Sequence, residues 1–120
     1  MNAIVLTAAQ TQEKSTQADW GSLTWLASKE LENAEGLTLG RVIIKKGHSN
    51  PRHSHPNCEE VLYLLSGTLE HTMGGESVVL NPGDTISIDA GIPHNAVNIG
   101  DKDADMIVVY SSAERGFQKE

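Results

Sequence analysis

Six side chains able to bind a metal or move a proton crowd one stretch of this chain: His48, His53, His55, Cys58, Glu59 and Glu60, between Gly47 and Gly67. Histidines one residue apart point to the same face of an extended segment, so His53 and His55 can converge while Ser54 turns away. In the run that follows, Glu60, Leu62 and Leu64 share one face, and Glu59, Val61, Tyr63 and Leu65 share the other. On these grounds either glutamate can complete the set. Farther along, His94 shares a face with Ala96 and Asn98 if that segment is extended. Neutral imidazoles with a carboxylate make a mixed nitrogen and oxygen shell that suits a first-row transition metal. The plainer reading of HSHPN is a polar loop whose histidines face water.

The elements that must position these residues read as short strands. From Trp20 onward the chain breaks into the runs SLTWLAS, LTLGRVIIKK, EEVLYLLS, TLEHTM, SVVL, TISI, HNAVNI and ADMIVVYS. Turn residues separate them at Glu35-Gly36, Gly47 to Pro56, Gly74-Gly75, Asn81 to Asp84, Ala90-Gly91 and Gly100-Asp101. Many short strands with such turns predict an all-β sandwich or barrel. The paired glycines of Met73-Gly74-Gly75-Glu76 predict a tight hairpin. The segment Ala27 to Ala34 has no apolar stripe and predicts at most a surface turn. Ahead of the strands, Ala3 to Leu6 is apolar and able to join a sheet edge, Gln10 to Gln17 reads as a flexible polar arm, and Glu13 to Asp19 shows weak helical character.

The bulk properties narrow the partners. A chain of 120 residues supports one domain with one core. Its 38% hydrophobic and 21% charged content is that of a globular protein. The net charge of -7 disfavours nucleic acid and anionic membranes as partners. The one cysteine excludes an internal disulfide and, with no basic leader or long apolar run, predicts a cytoplasmic location.

The spacing of the ligand types resembles the cupin family. That family's first motif is a glycine, five residues, His-x-His, three or four residues, Glu, six residues and a glycine; Gly47, His53, His55, Glu60 and Gly67 fill its places. The resemblance thus selects Glu60 over Glu59. In the second motif Gly83, Gly91, His94 and Asn98 match, while Asp89 stands where the family has proline and Pro93 stiffens the turn from the other side. The resemblance covers roughly residues 37 to 110. It implies a jelly-roll barrel, or double-stranded β-helix, with one divalent metal held by His53, His55, Glu60 and His94. The domain boundaries expected are an arm over residues 1–19 that is able to exchange as a strand, a barrel over 20–113 and a tail over 114–120. Barrels of this family are often homodimers, which is the expectation here.

An open site of this kind binds Mn, Fe, Ni, Co or Zn and works on a small oxygenated molecule. The leading expectation is isomerase or lyase chemistry on a hydroxy-carbonyl or sugar-acid substrate. The alternatives are a metal-dependent dioxygenase and a binding module without catalysis. Three further side chains are candidates for catalysis. His71 alternates with Leu69 and Met73 on a face expected to point inward, either as a proton carrier or as a satisfied core histidine. Arg41 shares parity with Leu37, Leu39 and Ile43, and is expected either inside as a carboxylate anchor or on the surface. Tyr110 is expected to reach the pocket. Tyr63 is expected to pack between the sheets, His48 to lie at the barrel mouth, and Cys58 to be inert packing.

Overall fold

The computed structural model describes residues 3–120. In chain order its elements are α1 (Ala8–Glu13), β1 (Thr16–Ala18), β2 (Gly21–Ala27), β3 (Thr38–Ile44), β4 (His53–Ser54), β5 (Glu60–Ser66), β6 (Leu69–Met73), β7 (Glu76–Leu80), β8 (Thr85–Ile88), β9 (His94–Asn98), β10 (Ala104–Tyr110) and β11 (Gln118–Lys119). One antiparallel sheet has the order β1-β2-β3-β10-β5-β8, and the other β11-β4-β9-β6-β7. This is the jelly-roll barrel expected, and all eight apolar runs became strands. Among the described residues no helix is long and apolar enough to cross a membrane.

Alternation built the core. In β10, Ala104, Met106, Val108 and Tyr110 are buried while the residues between them lie on the outer side. Val42 and Ile44 of β3, Leu62 and Leu64 of β5, and Leu69 of β6 meet them inside the barrel. Each such side chain removed from water contributes roughly 1.5–3 kcal/mol. Because side chains alternate strictly, the same register that buries Leu62 and Leu64 carries Glu60 inward.

Turns fix the register. Met73 pairs with Glu76 across the predicted two-residue hairpin, with Gly74 at φ 59°. The turn before β9 is held although Asp89 replaces the family's proline: the Gly91 amide donates to the His55 carbonyl at 2.9 Å. That bond ties the second ligand segment directly to the first.

Several expectations need correction. Ala3 to Leu6 adds no strand to the chain's own sheets, and Ile4 and Val5 are exposed. The arm is not unstructured after that point. Thr7 caps α1, accepting from the Gln10 amide while the Gln10 side chain accepts from the Thr7 amide, and β1 then pairs with β2. The helix therefore ends at Glu13 instead of running on to Asp19. Residues 114–120 are not a free tail, because β11 pairs with β4. Arg41 and Tyr63 point outward. On β3 the buried parity is Thr38, Gly40, Val42 and Ile44, because Gly40 leaves room for the Trp25 ring. Arg41 instead forms a two-pronged pair with Asp105 at 2.9 and 2.6 Å on the outer face. Tyr63 is 44% exposed and does not pack between the sheets.

The two glycines that frame the first ligand segment differ in what they demand. Gly47 has φ 76° with open space around it, whereas Gly67 has φ 94° and a Cβ there would lie 2.8 Å from the Ala104 Cα. Gly47→Ala meets only the left-handed backbone penalty, about 1–2 kcal/mol. Gly67→Ala meets that penalty and a backbone collision. Its urea midpoint should therefore fall well below that of Gly47→Ala, and equal midpoints would contradict this account.

Candidate metal centre

Three strand starts converge on one point inside the barrel. His53 opens β4, Glu60 opens β5 and His94 opens β9, with His53 and His94 paired across neighbouring strands. His55 follows β4 by one residue and faces the same way as His53. One ligand atom from each of these four buried residues lies within 4.8 Å of every other. Glu60 Oε1 stands 3.0 Å from His94 Nε2 and 3.1 Å from His55 Nε2.

The outer ring nitrogens decide what the inner ones can do. Each Nδ1 faces a backbone carbonyl: Pro51 at 2.6 Å for His53, Gly116 at 2.8 Å for His55 and Ile92 at 2.8 Å for His94. A carbonyl only accepts, so each Nδ1 carries a proton, and a ring that is neutral then turns a bare Nε2 inward. At His55 the short approach of Nε2 to Glu60 is then not a hydrogen bond, and that nitrogen is a buried atom without a partner. Where the rings are neutral, three lone pairs and a carboxylate crowd one point, and a proton on His94 Nε2 toward Glu60 Oε1, 3.0 Å away, relieves the set only in part. A divalent transition metal satisfies such a set, and carbonyl-anchored histidines are what its ligands need.

The electrostatics agree. Burial pushes the His53 imidazolium down to about 4, so that ring is neutral near pH 7. Burial would push the Glu60 carboxyl up, but its contacts with His55 and His94 outweigh this and hold it well below the usual carboxylate range. For His94, burial lowers the pKa, yet the Glu60 carboxylate prevails and raises it. His94 is therefore where protons compete most effectively with a metal.

The other candidates fall into place around this cluster. His71 is buried as expected, its ring stacked 5.8 Å from that of His94, with Nδ1 facing the Thr72 carbonyl. Burial lowers its pKa and keeps it neutral. Tyr110 is buried with its ring 4.8 Å from His55. Burial first, then the Glu60 carboxylate, raises its phenol well above the ordinary value, so it stays protonated. Cys58 is buried in the core, and burial pushes its thiol up. Glu59 and His48 are exposed and remote from the cluster. Arg41 lies on the outer face, away from it.

The sequence reading missed what the C-terminal segment supplies. Gly116 provides the acceptor for His55, and its amide donates to Asn57 Oδ1 at 2.7 Å. Phe117 stacks on His53 at 4.8 Å. The Arg115 guanidinium lies over the rings of Trp25, Tyr110 and Phe117. The signal was slight: an arginine and an aromatic in RGFQ, beside a strand too short to show alternation.

The carboxylate assignment can be checked by elemental analysis of purified protein. Glu60→Gln should remove the one anionic ligand and lose the bound metal, while Glu59→Gln should retain a stoichiometric ion. Equal metal content in the two variants would contradict the assignment.

Comparison with known proteins supports the geometry. The family model for the cupin domain matches residues 40–110. A germin-like protein of Arabidopsis thaliana, subfamily 2 member 1, is 34% identical over 91 residues, covering 72% of this chain and 42% of that protein. Oxalate oxidase GF-2.8 of Triticum aestivum is 30% identical over 93 residues, covering 71% and 42%. The chain thus spans about two fifths of the length of these relatives. Among solved structures, a recombinant oxalate oxidase in complex with glycolate superposes with a TM-score of 0.75 at 28% identity, over 85% of this chain and 56% of that one. An oxalate decarboxylase of Bacillus subtilis, studied for its Mn(II) centres, reaches 0.85 at 18% identity, over 97% and 35%, a likeness of fold alone. With both motifs, the barrel and the convergent ligand set in hand, the chain belongs to the cupin family.

Proposed function

We propose that this protein is a metal-dependent enzyme acting on a small oxygenated acid by isomerase or lyase chemistry. The observation that carries this reading is the pocket beside the cluster. A cavity of about 250 Å³ is lined by His53 and Tyr110 from the site and by Trp20, Leu23, Trp25 and Val42 from the barrel wall. It is small for a ligand site, which suits a metabolite of few atoms. A structural metal needs no such opening, whereas a reacting one does.

The metal, when bound, would supply Lewis acidity toward a carbonyl, carboxylate or enol oxygen. The chain's own residues do the rest. His53, His55, Glu60 and His94 would hold the ion, with three ring orientations fixed by the backbone carbonyls. The apolar wall of Trp20, Leu23 and Val42 excludes water and strengthens electrostatic contacts to a bound acid. Tyr110, protonated and beside Glu60, is assigned as a donor at the pocket floor. His71 does not line the pocket, so we assign it to supporting His94 and not to proton transfer with substrate.

A second reading, oxygen-dependent oxidation of the acid, is favoured by the oxalate oxidases among the relatives. Turnover separates the two. Metal-loaded protein incubated with a panel of small hydroxy and dicarboxylic acids should convert its substrate equally in air and under argon. Conversion only in air, with hydrogen peroxide formed, would replace the isomerase or lyase reading with the oxidative one. Binding without conversion in either atmosphere would leave a binding module.

Self-association is assigned to the outer face of the six-stranded sheet. There Leu6 of the arm, Leu26, Leu65 and Ile107 line an open cleft, with Tyr63 exposed on the same strand as Leu65. Sedimentation should give twice the chain mass of 12.9 kDa, and Leu65→Glu should return it to the monomer.

A further inference from the structure

We infer that Arg115 is the residue that selects the substrate: it anchors a carboxylate that is not bound to the metal. The inference rests on the metal-dependent reading above and names its substrate class, a small acid with metal-binding oxygens at one end and a free carboxylate at the other.

The site is built for this. The Arg115 Cζ lies 4.6 Å from the centroid of Trp25 and 5.3 Å from those of Tyr110 and Phe117. Three aromatic rings thus hold the guanidinium in place without consuming its hydrogen-bond donors. Among the described residues its side-chain hydrogen-bond contact is with His55 Nδ1 at 3.5 Å, a nitrogen whose proton already faces Gly116. The acids of the same segment are engaged elsewhere: Glu114 pairs with Lys29, and Glu120 with Arg52. Among the described residues the Arg115 guanidinium meets no carboxylate. It is the one cationic side chain among the residues lining the pocket that His53 also lines.

Charge decides the rest. The chain carries a net charge of -7, and the metal meets only one end of a doubly anionic acid, so the second carboxylate needs a local cation of its own. A preformed, partly desolvated guanidinium offers that compensation with two parallel donors, the geometry a carboxylate accepts best. A monoacid bound through the metal gains nothing from it.

Both tryptophans of the chain, Trp20 and Trp25, line this pocket, so intrinsic fluorescence reports its occupancy. The probes are glycolate and hydroxymalonate, which share an α-hydroxy acid and differ by one carboxylate. Manganese-loaded protein should bind hydroxymalonate about tenfold or more tightly than glycolate, the scale of a charge-assisted hydrogen-bond pair. Arg115→Met keeps the stem that packs on the rings and should abolish the preference while leaving glycolate affinity and metal content unchanged. Arg115→Lys should retain only part of it, and Arg41→Met all of it. If both acids bind through the metal but Arg115→Met keeps the preference, the assignment of Arg115 fails and the metal-dependent reading stands. If neither acid binds more tightly with metal than without, that reading fails and the anchor with it. Should Arg115→Met lose its metal, Arg115→Lys at full occupancy decides: an undiminished preference overturns the inference.

Discussion

A carboxylate buried among three imidazoles, each with its Nδ1 turned away from it to a backbone carbonyl, is the constraint on which the rest of this protein depends. Glu60 is only 4% exposed, and its charge must be compensated inside the barrel or not exist at all. An imidazolium compensates it only in part: burial holds His53 neutral, while the carboxylate itself draws a proton to His94. The compensation left is a cation at the point where the four ligand atoms meet. The barrel then serves as the device that keeps water from that point while presenting donors from three strand starts.

The carbonyl anchors explain why the chain needs its last residues. His53 and His94 each face the carbonyl two residues earlier, so their orientation is written into the local turns at Pro51 and Ile92. His55 has no such option. Two residues before it stands His53, itself in a strand, and its acceptor comes instead from Gly116, 61 positions away. A Cβ at position 116 would stand 2.7 Å from Asn57 Oδ1, so glycine lets the segment approach closely.

Much of this was legible because strand alternation leaves little freedom. Parity groups Glu60 with Leu62 and Leu64, and His94 with Ala96 and Asn98, but it left Glu59 equally eligible until the resemblance to the cupin motif selected Glu60. Parity failed on β3 because both of its faces are apolar. Leu39 and Ile43 lie outward and half-buried, while the inward row contains Thr38 and Gly40. Counting leucines and isoleucines therefore left Arg41 open between inside and surface, and the inward Gly40 beneath the Trp25 ring decides for the surface. The helix α1 was readable in Thr7-Ala8-Ala9-Gln10, a capping pair three residues apart. By contrast, β11 has two residues and no alternation, and only the finished barrel gives it an edge to join.

That illegible segment unites the two halves of the site. Gly116 fixes a metal ligand, and its neighbour Arg115 places a cation in the adjoining pocket, while Phe117 covers His53. Three consecutive residues thus act on three different groups, with the Arg115 and Phe117 side chains packed on one another. Their functions are consequently inseparable in space: a displacement of the segment large enough to release His55 Nδ1 also withdraws the guanidinium from its rings. Metal geometry and the charge of the pocket are thus set together, by a segment that joins its sheet through a strand of two residues.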